Sequence, residues 1–466
     1  MLSIRAMAPL AMLLLAGCVV GPNHTAPEMA LPQKFGEGGN KSAGDVSAAA
    51  WWEGFNDKRL NGLVENGLSQ NLTVLQAVER INAARANVVV SAANGFPNLT
   101  ASADETVSGA EGTGTTRPTS STVQGGLSVS WLLDLFGQVR RNKESAEASL
   151  GAAYASADVA RLSLLSDLAT SYIDARYYQA RLAVAKESLA SRRETLELTK
   201  LQLEAGAASR LDVVQSEGLV NSTLADLPGL ETNFRQAAHH IATLLGLPAS
   251  TLIADLQKGG GQPISRRSVN TGVPADLIRN RPDIRQAERT LAAAVADIGV
   301  AEAQLYPSIS LGGSISPSLT SSHGNSTHLT SWSFGPSLTL PILDGGRLRG
   351  NVDIANSSAR EQYLAWKATV LVAIEEVSNS LAAVNRDSQT VNALRATVRS
   401  YQEALELSTA SYKDGATSLL DVLDAQRSVS TAKASLTQAV QQMATDYVTL
   451  NVAIGGGYAF PAKRGK

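Results

Sequence analysis

The chain has 466 residues, enough for two or three domains by length, and a formal net charge of -2. That balance offers no basic footprint for nucleic acid and no acidic solvating tail. Hydrophobic residues make up 44% and aromatics only 5%, a composition suited to long helices packed through small side chains rather than to a bulky core. The one cysteine, Cys18, excludes an internal disulfide framework and a multi-cysteine metal site.

Residues 1–17 carry one positive charge, Arg5, then an apolar stretch to Ala16 that is too short for a spanning helix. The stretch ends Leu15-Ala16-Gly17-Cys18, similar to a bacterial lipobox, so residues 1–17 are expected to be a lipoprotein signal peptide. Cys18 would then carry diacylglycerol and an N-acyl chain, enough acyl chains for stable anchoring. An ordinary signal peptide with an incidental cysteine is the alternative. Val19 stands where an Asp tends to retain enteric lipoproteins at the inner membrane, and by that resemblance the destination is the outer membrane. No other segment has about 18 uninterrupted apolar residues, so no spanning helix is expected in the mature chain.

An internal duplication organises the rest. Gln76-Ala77 recurs as Gln286-Ala287, Phe96-Pro97 as Tyr306-Pro307 and Asp134 as Asp344, all 210 apart. The block Gly206-Ala207-Ala208-Ser209-Arg210-Leu211-Asp212-Val213 returns 209 later as Gly415-Ala416-Thr417-Ser418-Leu419-Leu420-Asp421-Val422. After an N-terminal segment at 18–65, repeat one spans 66–255 and repeat two 276–455, with a linker at 256–275 and a tail at 456–466.

Each repeat opens with a helix, at about 66–94 and 276–305, ending before Pro97 or Pro307, where the preceding residue is pushed out of the helical region. Strand hairpins follow at 97–135 and 307–343. Trp332, Phe334, Leu338, Leu340 and Ile342 alternate with Ser331, Ser333, Gly335, Ser337 and Thr339, a period of two. The stretches 108–121 and 317–330, rich in Gly, Ser, Thr and Pro, read as exposed hairpin loops. Long helices come next, at 138–204 and 347–413. Leu182, Leu189, Leu196 and Leu203 step by seven, as do Val391, Val398, Leu405 and Tyr412, which is coiled-coil spacing. About 67 residues make roughly 100 Å of helix. The tips 205–212 and 414–421 turn the chain at Gly206 and Gly415, and a return helix follows each. Leu227-Pro228-Gly229 is expected to kink or break the first of them.

Four strands with one apolar face cannot close a membrane barrel, since single-chain barrels start at about eight. An open edge in lipid leaves unpaired backbone groups that each cost several kcal/mol. Three copies supply about twelve strands, and three pairs of helix hairpins close a helical tube. The alternative is a soluble sandwich or bundle, which such long heptad helices and a lipid anchor fit poorly.

The chain resembles the outer membrane factors of tripartite efflux pumps, the TolC-like fold, in its lipoprotein (NodT-type) branch. The resemblance covers essentially the whole chain. It rests on Gly17-Cys18 with Gly21-Pro22; Trp51-Trp52 with Phe55-Asn56-Asp57; Asn71-Leu72; Arg281-Pro282-Asp283-Ile284-Arg285; Tyr306-Pro307; and Leu420-Asp421-Val422-Leu423-Asp424-Ala425. It implies a mainly α fold with a transmembrane β-barrel: a homotrimer of twelve strands in the outer membrane, continuous with a twelve-helix periplasmic barrel. The N-terminal segment, linker and C-terminus would form an equatorial belt. Partners would be a periplasmic adaptor, an inner-membrane RND pump and outer-membrane lipid. Asp421 and Asp424 match the family's pore-constricting aspartates, Tyr412 matches a latch tyrosine, and Thr417 stands where some relatives have a latch arginine. The rival within the fold is a channel for type I protein secretion; a rival from another class is a non-conducting lipid-anchored trimer.

No catalytic constellation is present: no Walker loop, no Gly-x-Ser-x-Gly, no His-Glu-x-x-His. His239 and His240 diverge by about 100° on a helix, and His24, His323 and His328 fall in expected loops. No enzyme activity and no cofactor beyond the lipid are anticipated. The candidate functional residues lie at the tips. Ser209 with Asp212 and Ser418 with Asp421 read as capping boxes. Asp424 is three residues beyond Asp421 on the same face, so a trimer would ring the axis with these carboxylates as a gate. Gly206, Ala207, Ser209, Asp212, Gly415, Ala416 and Ser418 are the candidate adaptor-docking surface.

Overall fold

The computed structural model describes residues 19–38, 41–109, 119–265, 269–322 and 324–459. The expected signal peptide, Cys18, His323, most of the first hairpin loop and the last residues of the tail lie outside that set. The chain divides into two compact units: one of Met1–Met29, Arg80–Tyr154 and Gln286–Lys367, the other of Ala30–Glu79, Ala155–Arg285 and Ala368–Lys466.

The first unit holds one antiparallel sheet in the order β1 (Asn98–Gly109), β2 (Thr119–Leu133), β3 (Ser308–Ser322), β4 (Asn325–Thr339). Each repeat thus contributes a hairpin, and β2 pairs with β3 across the duplication, Val129 opposite Gly313 and Trp131 opposite Leu311. Most of 317–330, expected as a loop, is strand: Pro317 lies opposite Thr330 and Ser321 opposite Ser326. Ser and Thr suit a pleated ladder as well as a loop, and pairing decided between them. His328 accordingly sits in β4, opposite Leu319. Leu99, Val107, Trp332, Phe334 and Leu338 are all at least 65% exposed, so apolar strand residues go uncovered within the chain.

The second unit contains the main core. A 3-10 turn at Trp51–Phe55 packs Trp51, Trp52 and Phe55 with Leu165, Leu168 and Tyr172 of α3 (Gln138–Glu204), Phe234 and Ile241 of α4 (Arg210–Leu244), and Tyr447 and Val448 near the chain's end. The Trp51 indole N–H donates to Gly456 O at 3.1 Å, and the Gly457 N–H to Val46 O at 3.2 Å. Linker residue Gln262 donates to Thr437 O at 2.8 Å, and Asp276 accepts from Ser42 Oγ at 2.7 Å. N-terminal segment, linker and C-terminus therefore each bond into this unit.

The opening helix of each repeat is two helices, not one. In repeat one α1 (Lys58–Gln70) stops at Asn71 and α2 (Leu72–Ala93) begins. Asn71 has extended backbone, caps Val74 N–H through Oδ1 at 3.0 Å and donates to Leu244 O at 2.8 Å. After a short α5 (Ile253–Gln257), repeat two breaks 210 residues later. There α6 (Pro274–Asn280) ends at Arg281, which Pro282 holds extended before α7 (Pro282–Ala303).

The long helices are α3 and α8 (Arg347–Lys413), returned by α4 and α9 (Leu419–Ala453). Leu189 and Leu196 pack with Val213 and Val220, flanked by Leu203 and Leu227, a step of seven on both helices. Pro228 does not break α4, which runs on through it. The proline frees one carbonyl at an exposed face where water can bind it, and the Thr232 hydroxyl donates to Pro228 O at 2.8 Å. Among the described residues no single helix is long and apolar enough to cross a membrane.

Candidate functional site: the helix-hairpin tips

Both tips lie in the second unit and share one backbone solution. Gly206 (φ +74°) and Gly415 (φ +75°) take the left-handed conformation that ends a long helix at little cost only for glycine. Ala207 N–H then reaches back to Gln202 O at 2.7 Å, and Ala416 N–H to Ser411 O at 2.8 Å. A side chain added at either glycine would meet nothing within 4 Å. The glycines answer to the turn, not to crowding. Ala207 and Ala416 are exposed, as are Leu211 (63%) and Leu420 (55%), which are repeat mates.

The capping differs between repeats. At tip one the box is reciprocal: Ser209 N–H donates to Asp212 Oδ2 at 2.8 Å, and Asp212 N–H to Ser209 Oγ at 3.2 Å. At tip two Asp421 Oδ2 gathers the Ser418 N–H (3.1 Å), the Ser418 hydroxyl (2.8 Å) and the Thr417 hydroxyl, while Asp421 N–H turns to Ser418 O. Donation from Thr417, then from Ser418, holds the Asp421 carboxyl below the usual carboxylate range. Thr417 thus acts within its own turn.

Asp424 is exposed and one turn further along α9. It is not unpartnered: Arg427 Nη1 lies 3.3 Å from Asp424 Oδ1, an exposed pair worth little in stability but one that places a positive charge beside the expected acidic ring. The i,i+3 spacing of Asp424 and Arg427 is a local signal for this pair. Tyr412 is buried among Leu419, Val422 and Leu423, and its hydroxyl donates to Gln202 Oε1 on α3. Gln202, which the sequence reading missed, links the two repeats at the tips. Only the fold could reveal it, since its repeat mate is Ser411. Above them Gln426 Nε2 donates to Thr195 Oγ1 at 2.8 Å and Ser191 Oγ at 3.0 Å. Among the described residues no group of three or more His, Cys, Asp or Glu could hold a metal.

In the first unit Arg141 is buried and clasps residues 20–23. It donates to Val20 O at 3.0 Å, Gly21 O at 2.9 Å and Asn23 Oδ1 at 2.9 Å.

A duplicated helix hairpin with matched tips, joined to a strand hairpin in each repeat, is the ground plan of an outer-membrane efflux channel. The family model described as outer membrane efflux protein matches residues 63–247 and 273–456; the chain belongs to this family. It is 57% identical to nodulation protein T of Rhizobium leguminosarum bv. viciae, over 98% of this chain and 95% of that protein. It is 29% identical to the cation efflux system protein CusC of Escherichia coli strain K12, over 96% and 97%. The solved structure of the outer-membrane channel OprN, 33% identical, covers 95% of this chain and 100% of its own with a TM-score of 0.84. The TolC-like fold expected from the resemblance is the fold found.

Proposed function

We propose that the chain is the outer-membrane exit duct of a tripartite efflux system: a lipid-anchored homotrimer and passive channel, opened at its tips by a periplasmic adaptor that works with an inner-membrane RND-type pump. One observation carries this reading. The sheet has four antiparallel strands, free edges at β1 and β4, and exposed Trp332, Phe334 and Leu338. Such a sheet is stable in lipid only if its edges find partners, and β1 of one copy meeting β4 of the next would close about twelve strands. The family's membership in outer-membrane efflux supports the same reading. CusC is named for cation efflux, but at 29% identity that name carries no substrate to this chain, and substrate choice would rest with the pump.

At the periplasmic end Asp421 and Asp424 of three chains would make an acidic constriction, with Tyr412 and Gln202 holding the two hairpins together behind it. The test is single-channel recording in planar bilayers with the trimer verified by light scattering. Wild type is expected to conduct, to favour cations and to be blocked by multivalent cations from the periplasmic side. Asp421→Ala with Asp424→Ala should abolish both properties, at a capping cost of about 1 kcal/mol per chain. A trimer that does not conduct sinks the channel reading. Conduction with unchanged selectivity sinks only the gate.

A further inference from the structure

A cavity of about 320 Å³ lies in the second unit between α3, α4 and α9, lined by Arg181 and Arg192 of α3, Asp226 of α4 and Arg427 of α9. Three guanidiniums face one carboxylate. Ser430 and Thr431 add hydroxyls to the wall, while the Thr223 hydroxyl donates to Leu219 O at 2.8 Å.

These charges stand outside the repeated apolar pattern. The duplication makes this visible, because the heptad-spaced apolar residues of α3 have apolar mates in α8: Leu182 with Val391, Leu189 with Val398, Leu196 with Leu405. The charged residues do not persist. At the 209-residue offset Arg181 corresponds to Thr390, Arg192 to Tyr401, Asp226 to Ser435 and Arg427 to Gly218. None of the four repeat-related positions carries a charge, three of them in repeat two and one in repeat one.

Their hydrogen bonding is also unfinished. The Nε groups of Arg181 and Arg192 are buried with no partner among the described residues, a state that costs free energy until something accepts from them. Arg192 is held in place by Thr223 Oγ1 at 2.5 Å and Leu219 O at 3.1 Å, both neutral acceptors. Burial, and next the charge of Arg427, lower its pKa from the usual arginine value, with the Asp226 carboxylate opposing them. Arg427 spends part of its charge on Asp424 in an exposed pair. A ligand with fixed negative charge and several acceptor oxygens would relieve the repulsion and satisfy the free N–H groups together.

We propose that this cavity is an oxyanion-binding site, taking sulfate, phosphate or the carboxylate of a small organic acid. Its place in α9, one to two turns from Asp421 and Asp424, puts an anion-holding station next to the expected acidic constriction. The site stands on the geometry of one chain and does not depend on the channel reading.

The full-length protein in detergent, titrated calorimetrically with sulfate and separately with succinate at constant ionic strength and pH 7.5, tests it. Saturable binding at about one site per chain, with dissociation constants in the millimolar range or below, is expected. Response to sulfate alone would identify an inorganic oxyanion site; response to succinate alone would identify a carboxylate site. Arg181→Gln, at a side chain whose buried Nε has no hydrogen-bond partner among the described residues, should weaken binding roughly tenfold or more while leaving the thermal midpoint in place. Arg427→Gln, at an exposed position, should weaken it independently should the first variant fail to fold. Absence of saturable binding of either anion to wild type overturns the proposal. So does unchanged affinity in a folded variant.

Discussion

At the scale of single residues, the least comfortable group outside the tips is Asp387 on α8. Burial first, then the facing carboxyl of Asp446 on α9, raise its pKa to about 6, and one of its oxygens is buried without a partner. Asp446 is itself raised by burial, with Gln442 donating to it at 3.0 Å. Next to Asp387, Arg386 turns to Glu37 at 2.8 Å instead. A folded-state pKa above the unfolded value near 3.9 favours the folded state while the group is protonated. That contribution is present below about pH 4 and is lost as pH rises through about 6. Asp387→Asn should therefore stabilise the protein at pH 7.5 by about 1 kcal/mol, less than full conversion of the shift because the site is only part-buried. It should change little at pH 4. Thermal melts across that range decide the matter: equal pH slopes for wild type and variant would rule the pair out as their source.

At the scale of elements, the two hairpins are the same device built twice. Each ends a 67-residue helix at a left-handed glycine, caps the return helix with Ser and Asp, and leaves a small residue and a leucine exposed. Exposed Ala207 and Ala416 permit close approach by another helix tip, and Leu211 and Leu420 offer it apolar contact. Ala207→Trp with Ala416→Trp should cut efflux in cells at least about tenfold with trimer abundance unchanged, since neither side chain packs inward. Full efflux with both substitutions would place adaptor docking elsewhere. The opening helices show the same doubling, broken at Asn71 and at Arg281. In repeat one an Asn cap holds the break. In repeat two Arg281 does so, bonded to Asp283 (2.6 Å), Glu376 (2.5 Å) and Ala453 O (3.0 Å).

At the scale of the whole molecule, the free sheet edges and the expected lipid anchor raise the question of how the chain is held at the outer membrane. Arg141 fixes residues 20–23 at the start of α3, and a side chain at Gly21 would collide with Gly299 at 2.4 Å. The clasp begins at Val20, two residues after Cys18, a separation of at most about 7 Å of extended backbone. Cys18→Ser is expected to abolish palmitate labelling and to block or redirect processing. Label retained by the variant would refute lipidation at this residue. Trimer assembly should survive loss of the lipid, because barrel strands supply their own hold on the membrane.

The sequence by itself determined the duplication, the long heptad helices, the strand hairpins and the tip turns. Each is written in local periodicity or in residues such as Gly206, Gly415, Ser209 and Asp212 whose conformational preference is local. It also carried the family, through motifs spread over both repeats. Only the tertiary structure decided that most of 317–330 is strand, since Ser and Thr serve ladder and loop alike until a partner strand is present. Only there does Pro228 pass within a helix, because an exposed carbonyl can lose its donor where a buried one cannot. Gln202 meeting Tyr412, and Arg181, Arg192 and Arg427 around one cavity, join residues up to 246 positions apart. No periodicity encodes such meetings; they follow from which helix faces pack together.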